Sequence, residues 1–122
     1  DDFIVGMFET ALEEDEIITS VSFPAPTSAA YMKFKQPASR FALVGVFVAK
    51  TAGGVRVAVT GATSVAHRGP KLEAALNENF SASAVDGVQI PVDHMNVDIH
   101  AGAEYRANLV KVMAKRAVEA CG

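Results

Sequence analysis

The sequence predicts an α+β domain, in which a small antiparallel sheet of three or four strands packs against about three α-helices as a two-layer sandwich. Three observations predict it. Val55, Val57 and Val59 recur at every second position directly after Gly53-Gly54, as in a half-buried strand leaving a tight turn. Apolar residues recur at three- and four-residue steps from Tyr105 to Val118, as on one face of a helix. The strand-like stretches come first and the helical ones after, with no internal repeat or low-complexity segment between them.

The elements follow in chain order. Glu13-Glu14-Asp15-Glu16 reads as an exposed turn that solvates four acids together. Residues 17–23, Ile-Ile-Thr-Ser-Val-Ser-Phe, predict a strand from their β-branched content and loose alternation, and Pro24 and Pro26 end it. Residues 28–35 predict a second, with Tyr31, Lys33 and Lys35 on one side and Met32 and Phe34 on the other, because successive strand side chains point apart. Pro37 lacks an amide hydrogen for the ladder and marks a break. Residues 41–49 are apolar on both faces, which predicts a central strand covered by helices on one side and by a neighbouring domain or subunit on the other. Thr51-Ala52-Gly53-Gly54 then supplies a hairpin turn.

Past Gly61 the period changes. Pro70 suits the first turn of a helix, and Leu72, Ala75 and Leu76 follow at helical spacing. Residues 81–85 predict a short helical turn and residues 87–97, with Pro91, a loop. The final helix carries Tyr105, Leu109, Val110, Met113, Ala117 and Val118 on one stripe. Asp98 is its expected cap, Lys111, Lys115 and Arg116 complement the dipole in its carboxyl half, and Gly122 stands where a helix stops.

Composition narrows the function classes. With 122 residues, half of them apolar, the chain suits one domain with a real core. A formal charge of −3 and the lack of any lysine or arginine run exclude the usual signature of a nucleic-acid or anionic-membrane partner, and leave a protein or a small molecule. Cys121 stands alone, so no internal disulfide forms, and no Cys or His pair has zinc-finger or iron–sulfur spacing; reducing, cytoplasmic surroundings fit. The longest apolar run, 41–49, falls far short of the roughly 20 residues that span a bilayer, so no transmembrane segment is expected. Asp1-Asp2 has the wrong sign for a signal peptide, and the opening without Met reads as a piece of a longer chain.

Most chemical candidates reduce to ordinary structure. Gly61-Ala62-Thr63-Ser64 lacks the spaced glycines and lysine of a phosphate loop and reads as a turn. His94, Asp98 and His100 could face one metal, but solvated loop residues are the simpler reading. Ser39, His67 and Asp93 have no nucleophile-elbow pattern around the serine, so no catalytic residue is assigned. Cys121 has only Glu119 nearby, the wrong sign to favour a thiolate. The cluster of Tyr31, Lys33, Lys35, Gln36, Ser39 and Arg40 differs in kind. An aromatic, three cations and two neutral hydrogen-bonding groups converge at the mouth of the core strand. Such a surface can line a flavin pocket, the aromatic covering a ring face and a cation meeting the charge that gathers at N1 and O2 on reduction. It can equally be an edge strand whose lysines discourage sheet-to-sheet pairing.

Three motifs carry a family resemblance. Tyr31, Lys33, Phe34, then Ala38, Ser39 and Arg40 match a Tyr-x-Lys-Phe start followed by Ala-Ser-Arg. Phe34-Lys35-Gln36 with Ala38-Ser39-Arg40 also fits a Phe-Lys-Gln-Ala-Ser-Arg version with Pro37 inserted. Asp98, Glu104, Tyr105 and Arg106 match an Asp-x-x-x-Ser-x-Glu-Tyr-Arg helix start in which Gly102 replaces the serine. With Phe3, Gly6, Phe8, Thr10-Ala11-Leu12, Asp15-Glu16-Ile17-Ile18 and Pro24 at the opening, the chain resembles the C-terminal domain of the FAD-binding medium subunit of the molybdenum hydroxylases, the carbon monoxide and xanthine dehydrogenase group. The resemblance is weakest over residues 77–94.

The resemblance implies a part of an electron-transferring oxidoreductase, not catalytic as an isolated piece. A molybdenum cofactor on a large subunit and [2Fe-2S] centres on a small subunit would feed electrons to FAD on the medium subunit. Residues 1–26 would connect from the preceding FAD-binding domain, and 27–122 would form the C-terminal domain. FAD would meet Tyr31 at the ring, with Lys33 or Lys35 as the nearby charge and Ser39 and Arg40 bracing the loop; Tyr105 and Arg106 would lock the last helix to the sheet. Because the glycine-rich phosphate loops belong to the other domains, this piece alone would bind FAD weakly or not at all. Roughly 150 to 200 further residues would precede Asp1. The competing expectation is a freestanding, non-catalytic protein-interaction module that docks a partner through its sheet without a cofactor.

Overall fold

A computed structural model describes residues 2–122. A small hairpin comes first, β1 (Ile4–Gly6) against β2 (Glu9–Thr10), with Phe8 at its turn in the left-handed region (φ 61°) and fully exposed. The predicted strand over 17–23 does not form. Ile17, Ile18, Val21 and Phe23 are all exposed, and no described strand lies alongside. β-branched residues favour the extended backbone, but a strand exists only where a partner completes its ladder.

The main sheet has four antiparallel strands in the order β3 (Ser28–Lys35), β4 (Ala42–Thr51), β5 (Gly54–Thr60) and β6 (His67–Arg68). The predicted hairpin joins β4 to β5, with Thr51 opposite Gly54. Gly54 adopts φ 105°, a conformation glycine takes without steric cost, and Thr51 Oγ1 donates to its carbonyl at 2.8 Å. β6 carries no periodicity in two residues and was not predicted.

The pleat sorts side chains between two faces. Met32, Val46, Val59 and His67 stand in one row, and Val48 and Val57 in the next, all on the inner face. Val44, Val46, Val48, Val57 and Val59 are almost completely buried there. Two α-helices and one short 3-10 turn cover this face, rather than about three α-helices: α1 (Pro70–Glu78), the turn Ala82–Val85, and α2 (Ala103–Ala120). From α2, Leu109, Val110, Met113, Ala114 and Ala117 enter the core, whereas Tyr105 stays half exposed and meets Phe34 edge-on at 6.4 Å. Helix α2 ends at Cys121, and Gly122 follows at φ 78°.

Helix α1 also completes the free edge of β5. Glu73 Oε1 accepts the Val57 amide and Asn77 Oδ1 accepts the Val55 amide, each at 2.9 Å. Two ladder donors that a short β6 leaves open are thereby satisfied by helix side chains.

Candidate functional site

The site predicted from sequence lies on the outer face and at the β3–β4 connection. Tyr31, Phe47 and Ala58 form one cross-strand row, and Lys33, Gly45 and Thr60 the next. Tyr31 leans across rows, its hydroxyl 3.2 Å from Thr60 Oγ1. Gly45 makes this possible, since a Cβ there would stand 2.8 Å from Tyr31 Cζ and 2.6 Å from Thr60 Oγ1. The phenol is therefore held against bare backbone, with 45% of the residue still open to solvent. Phe47 is 41% exposed beside it. A tethered aromatic with a free surface is pre-organised to receive a flat ring.

Beyond β3 the chain reverses through a turn locked by its own groups. Gln36 donates its amide to the Phe41 carbonyl at 2.9 Å and accepts the Arg40 amide at 2.8 Å. Its side-chain oxygen accepts the Ser39 amide at 2.7 Å and the Ser39 hydroxyl at 3.1 Å. Lys33 Nζ donates to the Arg40 carbonyl at 3.3 Å. Arg40 occupies the left-handed region at φ 62°, a conformation that a non-glycine residue keeps only where its surroundings impose it.

Of the five residues predicted to meet a cofactor, the structure brings Tyr31 and Lys33 onto one face and ties Lys33 to Arg40. Ser39, though exposed, gives its amide and hydroxyl hydrogens to Gln36 and braces the loop. Lys35 departs from the expected row: a bulge after Phe34 sets it opposite Ala42 and takes it out of strict alternation. Sequence reading missed Gly45 and Thr60, which hold Tyr31; only the strand register reveals them.

Behind the turn sits Arg106, 2% exposed. Its Nη1 donates to the Leu43 carbonyl at 2.7 Å and the Gly61 carbonyl at 3.0 Å, and its Nη2 to Asp98 Oδ2 at 2.6 Å. Helix α2 is thus locked to the mouth of β4 by Arg106, while Tyr105 meets the Phe34 ring edge-on. Asp98 does not cap α2. The helix begins five residues later with Gly102 at its cap, and Asp98 instead closes a loop by accepting the His100 and Ala101 amides at 2.9 and 3.0 Å. Those bonds, the His100 amide foremost, and Arg106 hold its carboxyl below the usual range against the opposing effect of burial. No group of three His, Cys, Asp or Glu among the described residues is placed to share a metal. Burial pushes the Cys121 thiol up, partly offset by Ser28, away from a reactive thiolate.

No helix among the described residues is long and apolar enough to cross a membrane. No family model matches the chain. It is 33% identical, over 134 aligned residues, to the nicotine 6-hydroxylase medium subunit of Paenarthrobacter nicotinovorans. The match takes in the whole of this chain and 47% of that subunit, so the chain spans about half its relative's length. Its fold is shared with carbon monoxide dehydrogenase from Oligotropha carboxidovorans (TM-score 0.77, 24% identity) and with quinoline 2-oxidoreductase from Pseudomonas putida 86 (TM-score 0.71, 22% identity). Each superposition covers 98% of this chain and 46% of the solved one. Along its entire length the chain is similar to about half of a hydroxylase medium subunit, and it shares its fold with about half of each of these solved enzymes.

Proposed function

We propose that this domain completes the wall of an FAD isoalloxazine pocket in a longer medium subunit. Bound FAD would supply the redox chemistry, taking electrons that originate at a molybdenum cofactor and [2Fe-2S] centres on partner subunits and handing them to an acceptor. The observation that carries the reading is Tyr31, tethered to Thr60, laid against Gly45 and open on its remaining face. Those residues fit a flat ring in both shape and polarity.

Within that reading Tyr31 covers the ring and Lys33 supplies the nearby positive charge, while the Gln36–Ser39 bonds and Arg40 fix the turn that borders it. Lys35, beyond the bulge, contributes charge to the rim. Residues 1–26 connect to a preceding domain that binds the FAD phosphates, and residues 27–122 form the wall. The chain's one cysteine forms no internal disulfide, which accords with a cytoplasmic setting.

Replacing Tyr31 by Ala in the full-length subunit tests the assignment. We expect a changed visible flavin spectrum or reoxidation rate with folding retained. Unaltered flavin behaviour removes Tyr31 from the pocket. A full-length subunit that is colourless as purified and takes up no added FAD removes the cofactor reading itself.

A further inference from the structure

A second feature lies on residues that the proposed flavin wall does not use. A cavity of about 510 Å³ opens between the end of β5, β6, the first turn of α1 and the 89–95 loop. Its volume falls within the roughly 300–1,000 Å³ of small-molecule sites. Val59, Val65, Leu72, Ile90, Met95 and Val110 give it an aliphatic lining.

His67 is the polar group with a defined role in that wall. Its Nδ1 lies 3.0 Å from Thr63 Oγ1 and 3.4 Å from the Val65 carbonyl. Thr63 donates its own hydroxyl hydrogen to the Val65 carbonyl at 2.7 Å. With the Thr63 hydrogen committed to the Val65 carbonyl, both neighbours of Nδ1 act as acceptors, an arrangement that puts the hydrogen on Nδ1 and leaves the Nε2 lone pair free. No described group donates to Nε2, and it is not sealed away, since Arg106 Nε alone is a fully buried, unpartnered side-chain nitrogen or oxygen among the described residues. The neighbouring Arg68 is engaged by Glu73 through two hydrogen bonds. Lys71, Asp93 and His94 are exposed, with charges of both signs at the opening. An aliphatic chamber with one tautomer-fixed acceptor selects a neutral molecule that brings a donor.

We propose that this cavity binds a neutral, ring-sized organic molecule through an O–H or N–H donated to His67 Nε2. The site is independent of the flavin reading, and its failure would leave that reading untouched. The test is fluorine NMR titration of the full-length protein with 4-fluorophenol and, in parallel, with 4-fluoroanisole, which has the same ring and no donor. We expect saturable binding of 4-fluorophenol, about 3- to 10-fold tighter than 4-fluoroanisole, the range set by one hydrogen bond. His67→Ala should reduce 4-fluorophenol to the affinity of the anisole. Should that variant not fold, Ser64→Trp at an exposed lining position narrows the entry and should abolish saturation. Absence of saturable 4-fluorophenol binding, equal affinity for the two probes, or retention of full affinity in either folded variant overturns the proposal.

Discussion

The two faces of the main sheet are drawn from the same strands and differ at every second residue. The inner face carries Val44, Val46, Val48, Val57 and Val59, sealed beneath α1 and α2. The outer face carries Tyr31, Lys33, Phe47 and Arg56, open to solvent or half so. The inner face spends its residues on burial and makes the domain stable; the outer face keeps two aromatics accessible, as the proposed flavin wall requires. Pleat parity separates the core from the proposed site.

The largest break in that comparison is a charge moved to the wrong face. Val57→Asp places a carboxylate among the buried valines of the core, at a cost of several kcal/mol, comparable to the whole stability of a small domain. We expect no cooperative melting transition by circular dichroism. Phe47→Ser, directly opposite Tyr31 in the register, should melt cooperatively and lose about 1 kcal/mol. Equal damage from both would show that the outer face is also a folding surface.

Arg106 links the faces, since it reaches from α2 to the carbonyls at the start of β4 and at the end of β5. Arg106→Met keeps the side-chain volume and removes the guanidinium from the Leu43 carbonyl, from Asp98 and from the Gly61 carbonyl, which keeps only Asn96 Nδ2 at 3.2 Å. Charged hydrogen bonds of this kind set the expected loss at about 3 kcal/mol, read as a drop in the urea midpoint with unchanged slope. A smaller loss would mean that water replaces the guanidinium.

Gly45→Ala sharpens the comparison most directly, because it adds one methyl to the outer face alone. The methyl meets Tyr31 and Thr60, and the half-exposed phenol can swing aside. We expect about 1 kcal/mol of destabilisation and loss of the nuclear Overhauser contact between the Tyr31 ring and Gly45. In the full-length subunit the same variant should reproduce the flavin phenotype of Tyr31→Ala.

How much of this was legible in the sequence depended on whether a residue acts through its neighbours in sequence or across the sheet. The β4–β5 hairpin was readable because Gly53-Gly54 and the alternating valines act locally, and the apolar stripe of α2 because its period is intrinsic. The stretch from Ile17 to Phe23 misled because strand propensity needs a partner that no described segment provides. Asp98 misled because a residue of the right type to cap a helix closes a loop and pairs with Arg106 instead. Tyr31 and Lys33 were recognisable as a polar entry to the core strand, but the groups that orient Tyr31 lie 14 and 29 positions away, Gly45 and Thr60, and only the register brings them under the ring.

The smallest predicted effect concerns how the helical layer is tied to the sheet edge. Burial alone would push the Glu73 carboxyl up, but the Arg68 hydrogen bonds, the Val57 amide and the charges of Arg68 and Arg56 outweigh it and hold the carboxyl below the ordinary range. A carboxyl with a depressed folded-state value binds its proton more readily in the unfolded chain. Its contribution is therefore complete above about pH 4.3, the unfolded value, and is lost as pH falls through the lower folded value. Thermal melts across acid pH should show the midpoint falling in that window, and Glu73→Gln, already lacking the charge, should show a shallower fall from a lower starting point. Identical pH profiles for the two proteins would mean that the Val57 amide and Arg68 hold α1 to β5 without drawing on the carboxylate charge, leaving shape alone to close the edge of the inner layer.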